Sequence, residues 1–371
     1  MLQKIKTALS EYIEPLLGID LFQANAIKEM TIAEPNVVKV ELLLAFPCLH
    51  YQQQLLKNLN DFLESKLHLS TENWVIHWNI EFQIQPHALK AGMKRSKAIK
   101  NVIAVASGKG GVGKSTVALN LALALQKEGA KVGLLDADIY GPSQAYLLGV
   151  TQPTPSIDGK RFEPTEIYGL QTISMAYFIP KEETPMVWRG PMVGRALEQL
   201  FFDTNWPELD YLIIDLPPGT GDVSLTLVQK VPVTGVVMVT TPQKVALLDV
   251  RKALTMFEKV NVPVLGIVEN MATHVCPSCG HTSDIFGAKG GESLAQQYDV
   301  PLLGQLALDV LMCEASEESI PWMLHEEKIY CQHRNTTTFY QIANQISAQL
   351  SLMKIDYSGK IPGVIVENER K

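Results

Sequence analysis

The sequence predicts an α/β protein, with a doubly wound, mostly parallel sheet preceded by a small α+β domain. From residue 101 onward, short apolar runs rich in β-branched residues alternate with helix-compatible segments, as a parallel sheet covered on both faces requires. Before residue 90, amphipathic helical periods and an alternating strand pattern indicate a separate, smaller unit. The chain has 371 residues, 46% of them hydrophobic, and is therefore long enough to form two such cores.

The first unit has the sequence pattern of a small α+β domain. Amphipathic periodicity predicts one helix near 2–14 and another over 50–66. A strand is predicted near 26–33, and two more over the runs NVVKVELLLAF and NWVIHWNIEFQI.

The second unit contains six predicted strands, NVIAVAS, KVGLLDAD, DYLIIDLPP, GVVMVTTP, VPVLGIVEN and PLLGQLAL. Most of these runs end in polar or Gly/Pro-rich motifs, and functional residues of doubly wound sheets gather at the carboxyl ends of the strands. The predicted organisation is an α+β domain at 1–90, a basic linker at 91–100, the α/β domain at 101–353 and a tail at 354–371.

Composition and charge narrow the class of protein. The net charge of -7 predicts no nucleic-acid partner, and we interpret the one basic cluster, KAGMKRSKAIK, as a solvated linker. No window approaches the ~18 uninterrupted apolar residues of a membrane span, and the first residues lack a signal-peptide pattern. We therefore expect a cytoplasmic protein without a membrane partner. The five cysteines, an odd number, argue against a disulfide framework and leave metal or thiol chemistry open.

A phosphate-binding loop is predicted directly after the strand NVIAVA. The segment SGKGGVGKST fits the pattern G-x-x-x-x-G-K-[ST] from Gly108 to Ser115, and a helix-compatible run follows it. In this pattern, backbone N–H groups surround phosphate oxygens, Lys114 reaches the β and γ phosphates and Ser115 holds Mg²⁺. The competing interpretation is a simple Gly-rich turn. The predicted ATP contacts are Gly108, Lys109, Gly110, Gly111, Val112, Gly113, Lys114, Ser115 and Thr116.

Three carboxylates follow predicted strands where a nucleotide hydrolase needs them. Asp215 ends the run YLIID, a position from which a carboxylate reaches Mg²⁺ through water. Asp138 is predicted to position the attacking water or to contact the metal shell, with Asp136 supporting it. The alternative for both residues is capping of the next helix.

A second lysine, Lys109, lies inside the phosphate loop. The loop does not need it to surround the phosphates of its own chain. We predict that Lys109 contacts phosphate bound by a partner subunit and stabilises charge in the transition state, as an arginine finger does. A homodimer is therefore part of the expected mechanism.

Seven motifs in order between residues 90 and about 325 resemble the Mrp/ApbC-type iron-sulfur cluster carrier ATPases, a branch of the deviant Walker A class that also contains MinD-like proteins. The motifs are SGKGGVGKST, DADIYGPS, VWRGPM, DYLIIDLPPGTGD, TTPQ.VALLDVRKA, VPVLGIVENM and CPSCGH...IFG..GG. The resemblance implies a homodimer that binds a [4Fe-4S] cluster at its interface, receives it from scaffold or donor proteins and passes it to apo-proteins, with ATP hydrolysis required. It also implies that Asn270 contacts adenine and that Lys109 is the signature lysine. The first unit resembles, more weakly, a small domain related to cluster-assembly factors.

The pair Cys276 and Cys279 is the predicted metal site outside the phosphate loop. A [4Fe-4S] cluster usually takes four thiolates, and two chains related by a two-fold axis offer four. Zinc is the rival, bound either with the flanking His274 and His281 or across the dimer. A thioredoxin-like redox pair is a third reading, and a MinD- or ParA-like positioning ATPase with a structural zinc loop is the alternative function.

Overall fold

The computed structural model describes residues 1–70, 73–89, 93, 95–150, 161–178, 190–276, 278–325 and 333–356. Parts of three predicted features lie outside these residues, namely positions 91, 92 and 94 of the linker, 187–189 of VWRGPM and 357–371 of the tail. The proposed domain boundaries stay predictions.

The N-terminal unit is a three-stranded sheet covered by two helices, as the sequence predicts. The strand order is β1-β2-β3, with β1 antiparallel and β3 parallel to the central β2. Side chains alternate along β2, and Val38, Val40, Leu42 and Leu44 are all buried against the helices. The elements are α1 (Leu2–Glu11), β1 (Ile27–Glu34), β2 (Val37–Leu44), α2 (Gln52–Leu67) and β3 (Val75–Phe82).

The second unit contains, within the described residues, an eight-stranded sheet with helices on both faces. Its strands are β4 (Ile99–Ser107), β5 (Val132–Asp136), β6 (Thr165–Ile167), β7 (Leu170–Ser174), β8 (Leu209–Asp215), β9 (Gly235–Thr240), β10 (Val264–Glu269) and β13 (Leu302–Gln305). A separate hairpin pairs β11 (His274–Val275) with β12 (Thr282–Ser283). Its helices are α3 (Lys114–Lys127), α4 (Gln144–Leu147), α5 (Gly190–Phe202), α6 (Asp222–Lys230), α7 (Lys244–Lys259), α8 (Gly290–Tyr298), α9 (Val310–Glu317) and α10 (Arg334–Ser351).

The strand order, β13-β10-β9-β4-β8-β5-β7-β6, confirms the predicted doubly wound sheet. Only the last pair of this order, β6 with β7, is antiparallel. The edge strand β6 and its neighbour β7 were not predicted, because their three and five residues carry too short an apolar pattern to signal a strand. The six predicted strands are all present, and β4 lies between β8 and β9. The carboxyl ends of β4, β8, β9 and β10 therefore meet at one edge.

A buried glutamate joins the two units. Glu128, at the C-terminal end of α3, is fully buried, and its Oε2 accepts hydrogen bonds from the backbone N–H groups of His50 (2.8 Å) and Tyr51 (3.2 Å). These two residues precede α2, so Glu128 caps a helix of the other unit. The His50 ring also stacks on Tyr340 of α10, with the ring centroids 3.9 Å apart. The N-terminal unit is thus docked at the far end of the helix that starts in the phosphate loop.

Removing the charge of Glu128 is expected to change how stability depends on pH. Burial raises the pKa of Glu128 above the usual 4.5, although its hydrogen bonds from Tyr51, Asn344 and His50 oppose the shift. The folded state therefore binds the proton more tightly than the unfolded state, and stability falls as pH rises from 4.5 through the raised pKa. Glu128→Gln keeps an acceptor oxygen without this titration, so its unfolding temperature should fall less over that range.

The measurement is thermal unfolding of both proteins from pH 4.5 upward. Burial also raises the pKa of Glu14, which bonds Tyr51, but that contribution is common to the two proteins. Glu128→Ala removes the acceptor and should lose roughly 1–3 kcal/mol. If the unfolding temperatures of wild type and Glu128→Gln changed equally with pH, Glu128 would not be the source of this pH dependence.

Candidate functional site

The phosphate loop has the backbone conformation that its glycines predict. Gly111 and Gly113 have φ of +78° and +80°, a region that favours glycine. At Gly108 an added Cβ would lie 2.4 Å from the Asp249 carbonyl carbon, so only glycine allows α7 to pack this closely. The loop therefore requires glycine for both backbone conformation and packing, and the interpretation as a simple turn does not account for the cavity beside it.

This cavity has a volume of about 280 Å³ and is lined mainly by the phosphate loop. Asp138, Tyr146 and Pro218 close its other sides. The positive end of α3 opens at the same place, because the helix begins at Lys114. The arrangement suits a phosphate chain. Its lining residues are Ser107, Lys109, Gly110, Gly111, Gly113, Lys114, Ser115, Thr116, Asp138, Ser143, Tyr146, Leu147 and Pro218.

Lys114 lines this cavity and forms a buried ion pair with Asp215 behind it. Asp215 ends β8 and is fully buried. Its other oxygen accepts a hydrogen bond from Nε2 of Gln144 (2.9 Å), which also donates to the Ser115 carbonyl (3.0 Å). The Asp215 carboxylate, the Ser115 hydroxyl and the Lys114 ammonium are thus held beside one another. Oxygen atoms of this kind suit Mg²⁺, and the ammonium suits the phosphates of a nucleotide.

Asp136 and Asp138 take different roles in the structure. Asp136 is buried, and its carboxylate accepts hydrogen bonds from Gln144 N (3.1 Å), Asp138 N (3.1 Å) and Ser174 Oγ (3.0 Å). Burial and the nearby Asp215 raise the pKa of Asp136 to about 7. Asp136 thus holds the backbone of Asp138, the residue that it was predicted to support, and also that of Gln144, the first residue of α4. Its role in catalysis stays a prediction.

Asp138, by contrast, lines the cavity. Burial raises its pKa, while Lys114 has the opposite effect. A carboxylate with a raised pKa beside a phosphate-sized cavity can orient water and accept a proton. The predicted positioning role of Asp138 therefore has suitable surroundings and stays a prediction.

Lys109 is half-buried, and its Nζ lies 3.2 Å from Oε1 of Gln243, at the start of α7. The lysine thus contacts the loop after β9 of its own chain. Contact with the phosphate of a second copy stays a prediction.

Asn270 follows β10 and lies against the phosphate loop. Its Nδ2 donates to the carbonyl of Val112 (2.9 Å), and its Oδ1 accepts from Met271 N (3.0 Å). The structure thus brings the residue expected to contact adenine to the phosphate loop, across the sheet edge. Its role toward a base stays a prediction.

Placing a methyl group on Gly113 is expected to disturb both residues. An added Cβ would lie 2.2 Å from Nδ2 of Asn270, and the positive φ costs an L-residue about 1–2 kcal/mol. We expect Gly113→Ala to weaken ADP binding by about tenfold or more, the equivalent of that cost. Isothermal titration measures this affinity.

Gly141→Ala is the matched control, since an added Cβ there has nothing within 4 Å. Gly141 belongs to the loop after Asp138, so it tests whether any alanine near the cavity weakens binding. Equal ADP affinity in Gly113→Ala and wild type would contradict the geometry.

The cysteine pair lies in the turn of the β11–β12 hairpin. Cys276 N donates to His281 O (2.9 Å), and Gly280 N donates to Cys276 O (2.8 Å). Hydrogen bonds from the backbone of Ser278 and Cys279 lower the pKa of the Cys276 thiol. Cys279 is exposed, and both thiols are free. The turn therefore presents two thiols, one favoured as thiolate, which is the form that binds metal.

The flanking histidines are not gathered with them into a metal site. Among the described residues, no group of three or more His, Cys, Asp or Glu side chains is placed to hold a metal ion.

Sequence reasoning missed two glutamines of the site, Gln144 and Gln243. Gln243 lies inside the motif TTPQ, which begins at the end of β9, and Gln144 comes immediately after the motif DADIYGPS, which begins at the end of β5. The position of both glutamines in loops that follow strands was the available sequence signal for a functional residue. The amide side chain itself has no distinctive spacing, and the bonds from Gln144 to Asp215 and from Gln243 to Lys109 depend on tertiary structure.

Two family models match the chain. Residues 98–347 match the family described as the NUBPL iron-transfer P-loop NTPase, and residues 2–72 match the family described as an iron-sulfur cluster assembly protein. No helix in the described part of the chain has the length and apolar character needed to span a membrane.

Three similar proteins share one name. Iron-sulfur cluster carrier proteins of Haemophilus influenzae and Escherichia coli are 42% and 43% identical, over 94% and 92% of this chain and 91% and 90% of their own lengths. One from Pseudomonas fragi is 58% identical over 64% of this chain and 83% of its own length.

Two solved structures are similar in fold. A nucleotide-binding protein from Archaeoglobus fulgidus in complex with ADP is 37% identical, with a TM-score of 0.53, over 60% of this chain and 87% of that one. The cell division ATPase MinD of Pyrococcus furiosus, at 22% identity and a TM-score of 0.50, covers 66% of this chain and 98% of its own and shares the fold.

Proposed function

The chain belongs to the NUBPL iron-transfer family of P-loop NTPases, and from that premise we propose that it is a cytoplasmic, homodimeric ATPase that carries a [4Fe-4S] cluster to apo-proteins. The observation that carries the proposal is the placement of Cys276 and Cys279. Their hairpin follows β10, and Asn270, which lies between that strand and the hairpin, contacts the phosphate loop. Names of relatives at 42–43% identity over nearly the whole chain support a cluster carrier over a positioning ATPase.

The residues of the cavity fit ATP with Mg²⁺. The glycines at positive φ surround the phosphates with N–H groups, and Lys114 supplies the positive charge. Ser115, Asp138 and Asp215 offer the oxygen ligands that Mg²⁺ prefers. When bound, Mg²⁺ would neutralise negative charge that develops on the phosphates during hydrolysis. In our proposal Asp138 orients the water that attacks the γ-phosphorus, and the bond to the β-phosphate oxygen breaks as ADP leaves.

The cluster is the cargo of this ATPase, and we propose that two copies of the chain hold it. One hairpin offers two thiols, whereas a [4Fe-4S] cluster usually takes four. A two-fold axis beside the hairpin supplies the other two from the partner. The same dimer gives Lys109 a phosphate to reach, once it leaves Gln243. Exposed thiols and reversible cluster binding suit the reducing cytoplasm.

Cluster transfer to an acceptor tests the proposal. The protein is reconstituted anaerobically with iron and sulfide, desalted and mixed with an apo-enzyme whose activity requires a [4Fe-4S] cluster. We expect the acceptor to regain activity with loaded carrier faster than with the same amounts of free iron and sulfide in the presence of a chelator. Equal recovery in the two samples would contradict a carrier function. Stoichiometric zinc in freshly purified protein would favour the zinc-bound alternative.

A further inference from the structure

We infer that Glu269 is a positioning residue that couples the nucleotide site to the cysteine hairpin. The inference rests on the proposed function and deepens it. Glu269 is the last residue of β10 and is fully buried, directly before Asn270. It contacts neither the cavity nor the cysteines, so its effect on either has to pass through the segments that it holds.

The hairpin belongs to an excursion of 20 residues, 270–289, that runs from the end of β10 to the start of α8. The outgoing stem is held by the sheet, since Asn270 N donates to Thr240 O (2.8 Å) and Ala272 N donates to Leu306 O (2.8 Å). The orientation of the two thiols therefore depends on what holds the two stems.

Glu269 holds the returning stem, the segment that leads from the hairpin into α8. Its Oε1 accepts a hydrogen bond from Gly291 N (2.6 Å), and its Oε2 accepts one from Gln305 Nε2 (2.6 Å). Because Gly291 lies in the first turn of α8, the carboxylate also interacts favourably with the positive end of that helix. Glu269 thus connects the two ends of the excursion. Its backbone belongs to the strand from which the excursion leaves, and its carboxylate binds Gly291, where the chain enters α8.

The close approach of the two ends of the excursion depends on two adjacent glycines. An added Cβ on Gly290 would lie 2.7 Å from Pro242 O, and one on Gly291 would lie 3.1 Å from Oε1 of Glu269. Pro242 precedes Gln243, the residue that contacts Lys109. The returning stem is therefore packed against the loop that holds Lys109 as well as against Glu269.

On the nucleotide side, the next residue after Glu269 contacts the phosphate loop through the bond from Asn270 to Val112. A nucleotide that moves this loop or replaces this bond moves the end of β10. The buried carboxylate transmits the shift to α8 and so to both stems of the hairpin, because packed interiors move as units. Without the carboxylate the returning stem is free of that shift.

The first test uses protein without a cluster, and so does not depend on cluster chemistry. Amide hydrogen exchange of residues 271–291 is measured with and without Mg²⁺ and ADP. In wild type we expect nucleotide to slow this exchange by at least about fivefold, the lower end of usual coupling between sites. In Glu269→Ala the residues that lead into α8 should lose most of this slowing, although ADP still binds, while the outgoing stem keeps the part that reaches it through Asn270. Glu269→Gln, which keeps an acceptor for Gly291, should restore most of the effect.

Two further variants make the result specific. Gly291→Ala disturbs the same contact with the carboxylate in place, so the test does not depend on Glu269→Ala folding, and it should also reduce the nucleotide effect. Glu128→Gln is the matched control, a fully buried glutamate at the junction with the N-terminal unit, and should behave as wild type. A full nucleotide effect in Glu269→Ala or Gly291→Ala, or none in wild type, would overturn the inference.

The second test measures the rate at which a chelator removes iron from reconstituted protein, with and without Mg²⁺ and ADP. The same pattern is expected, a nucleotide-dependent rate in wild type and Glu128→Gln and a much weaker dependence in Glu269→Ala. If wild type takes up no cluster, the proposed function fails, while the exchange experiment still decides the role of Glu269.

Discussion

Lys114→Ala is expected to lower ATP turnover by a factor of about 10²–10³, the usual cost of removing one preorganised charge-stabilising donor. Lys114 is buried at the start of α3 and bonds Asp215. Lys114 lines the cavity of the phosphate loop, and in our proposal its ammonium stabilises negative charge that develops on the phosphates. Phosphate release at saturating ATP measures the effect.

The control is Lys127→Ala, which removes the same side chain from the exposed, opposite end of the same helix and should keep wild-type turnover. Since Lys114→Ala also leaves the buried Asp215 without its charge partner, a loss of about 3–5 kcal/mol of stability is expected, and turnover is measured well below the unfolding temperature. Unchanged turnover in Lys114→Ala would mean that the phosphate loop has been misread.

The double variant Cys276→Ala with Cys279→Ala is expected to abolish cluster binding. The two thiols occupy one turn, where backbone N–H groups favour the thiolate of Cys276. Thiolate is the form that ligates iron, and alanine offers no ligand in its place. After anaerobic reconstitution, absorbance near 400 nm and iron content should both fall to background.

Cys313→Ala is the matched control because Cys313 is also a free, exposed thiol, on α9 rather than in the hairpin. It should load as wild type does. Burial raises the pKa of Cys48 to about 12, so that thiol is not expected to bind iron in either protein. Equal loading in the double variant and wild type would place the cluster elsewhere.

The sequence predicted the parts of this molecule that depend on local pattern. The six strands of the α/β unit were predictable because each is a buried apolar run, and the phosphate loop because its glycines and Lys114 occur at fixed spacing. Cys276 and Cys279 were recognisable for the same reason, since the spacing of two thiols in a short turn is itself the signal.

Features that depend on long-range contacts were not predictable. The cap that Glu128 provides to α2 joins residues 77 and 78 positions apart, and a lone glutamate after a helix carries no pattern that identifies it. Glu269 likewise reads as the polar end of a strand, although it bonds Gly291 and Gln305 in the fold. Asp136 was expected to support Asp138, and only the fold shows that its carboxylate holds the backbone N–H groups of both Asp138 and Gln144.

In our proposal two copies of the chain share one cluster, and native mass spectrometry of the anaerobically reconstituted protein tests this sharing directly. Each hairpin has two thiols, and four thiolates make the usual ligand set. We expect a species with the mass of two chains and a single [4Fe-4S] cluster. When a chelator removes the cluster, this species should separate into two cluster-free chains. A single chain that holds a complete cluster, or two chains that hold two, would contradict it.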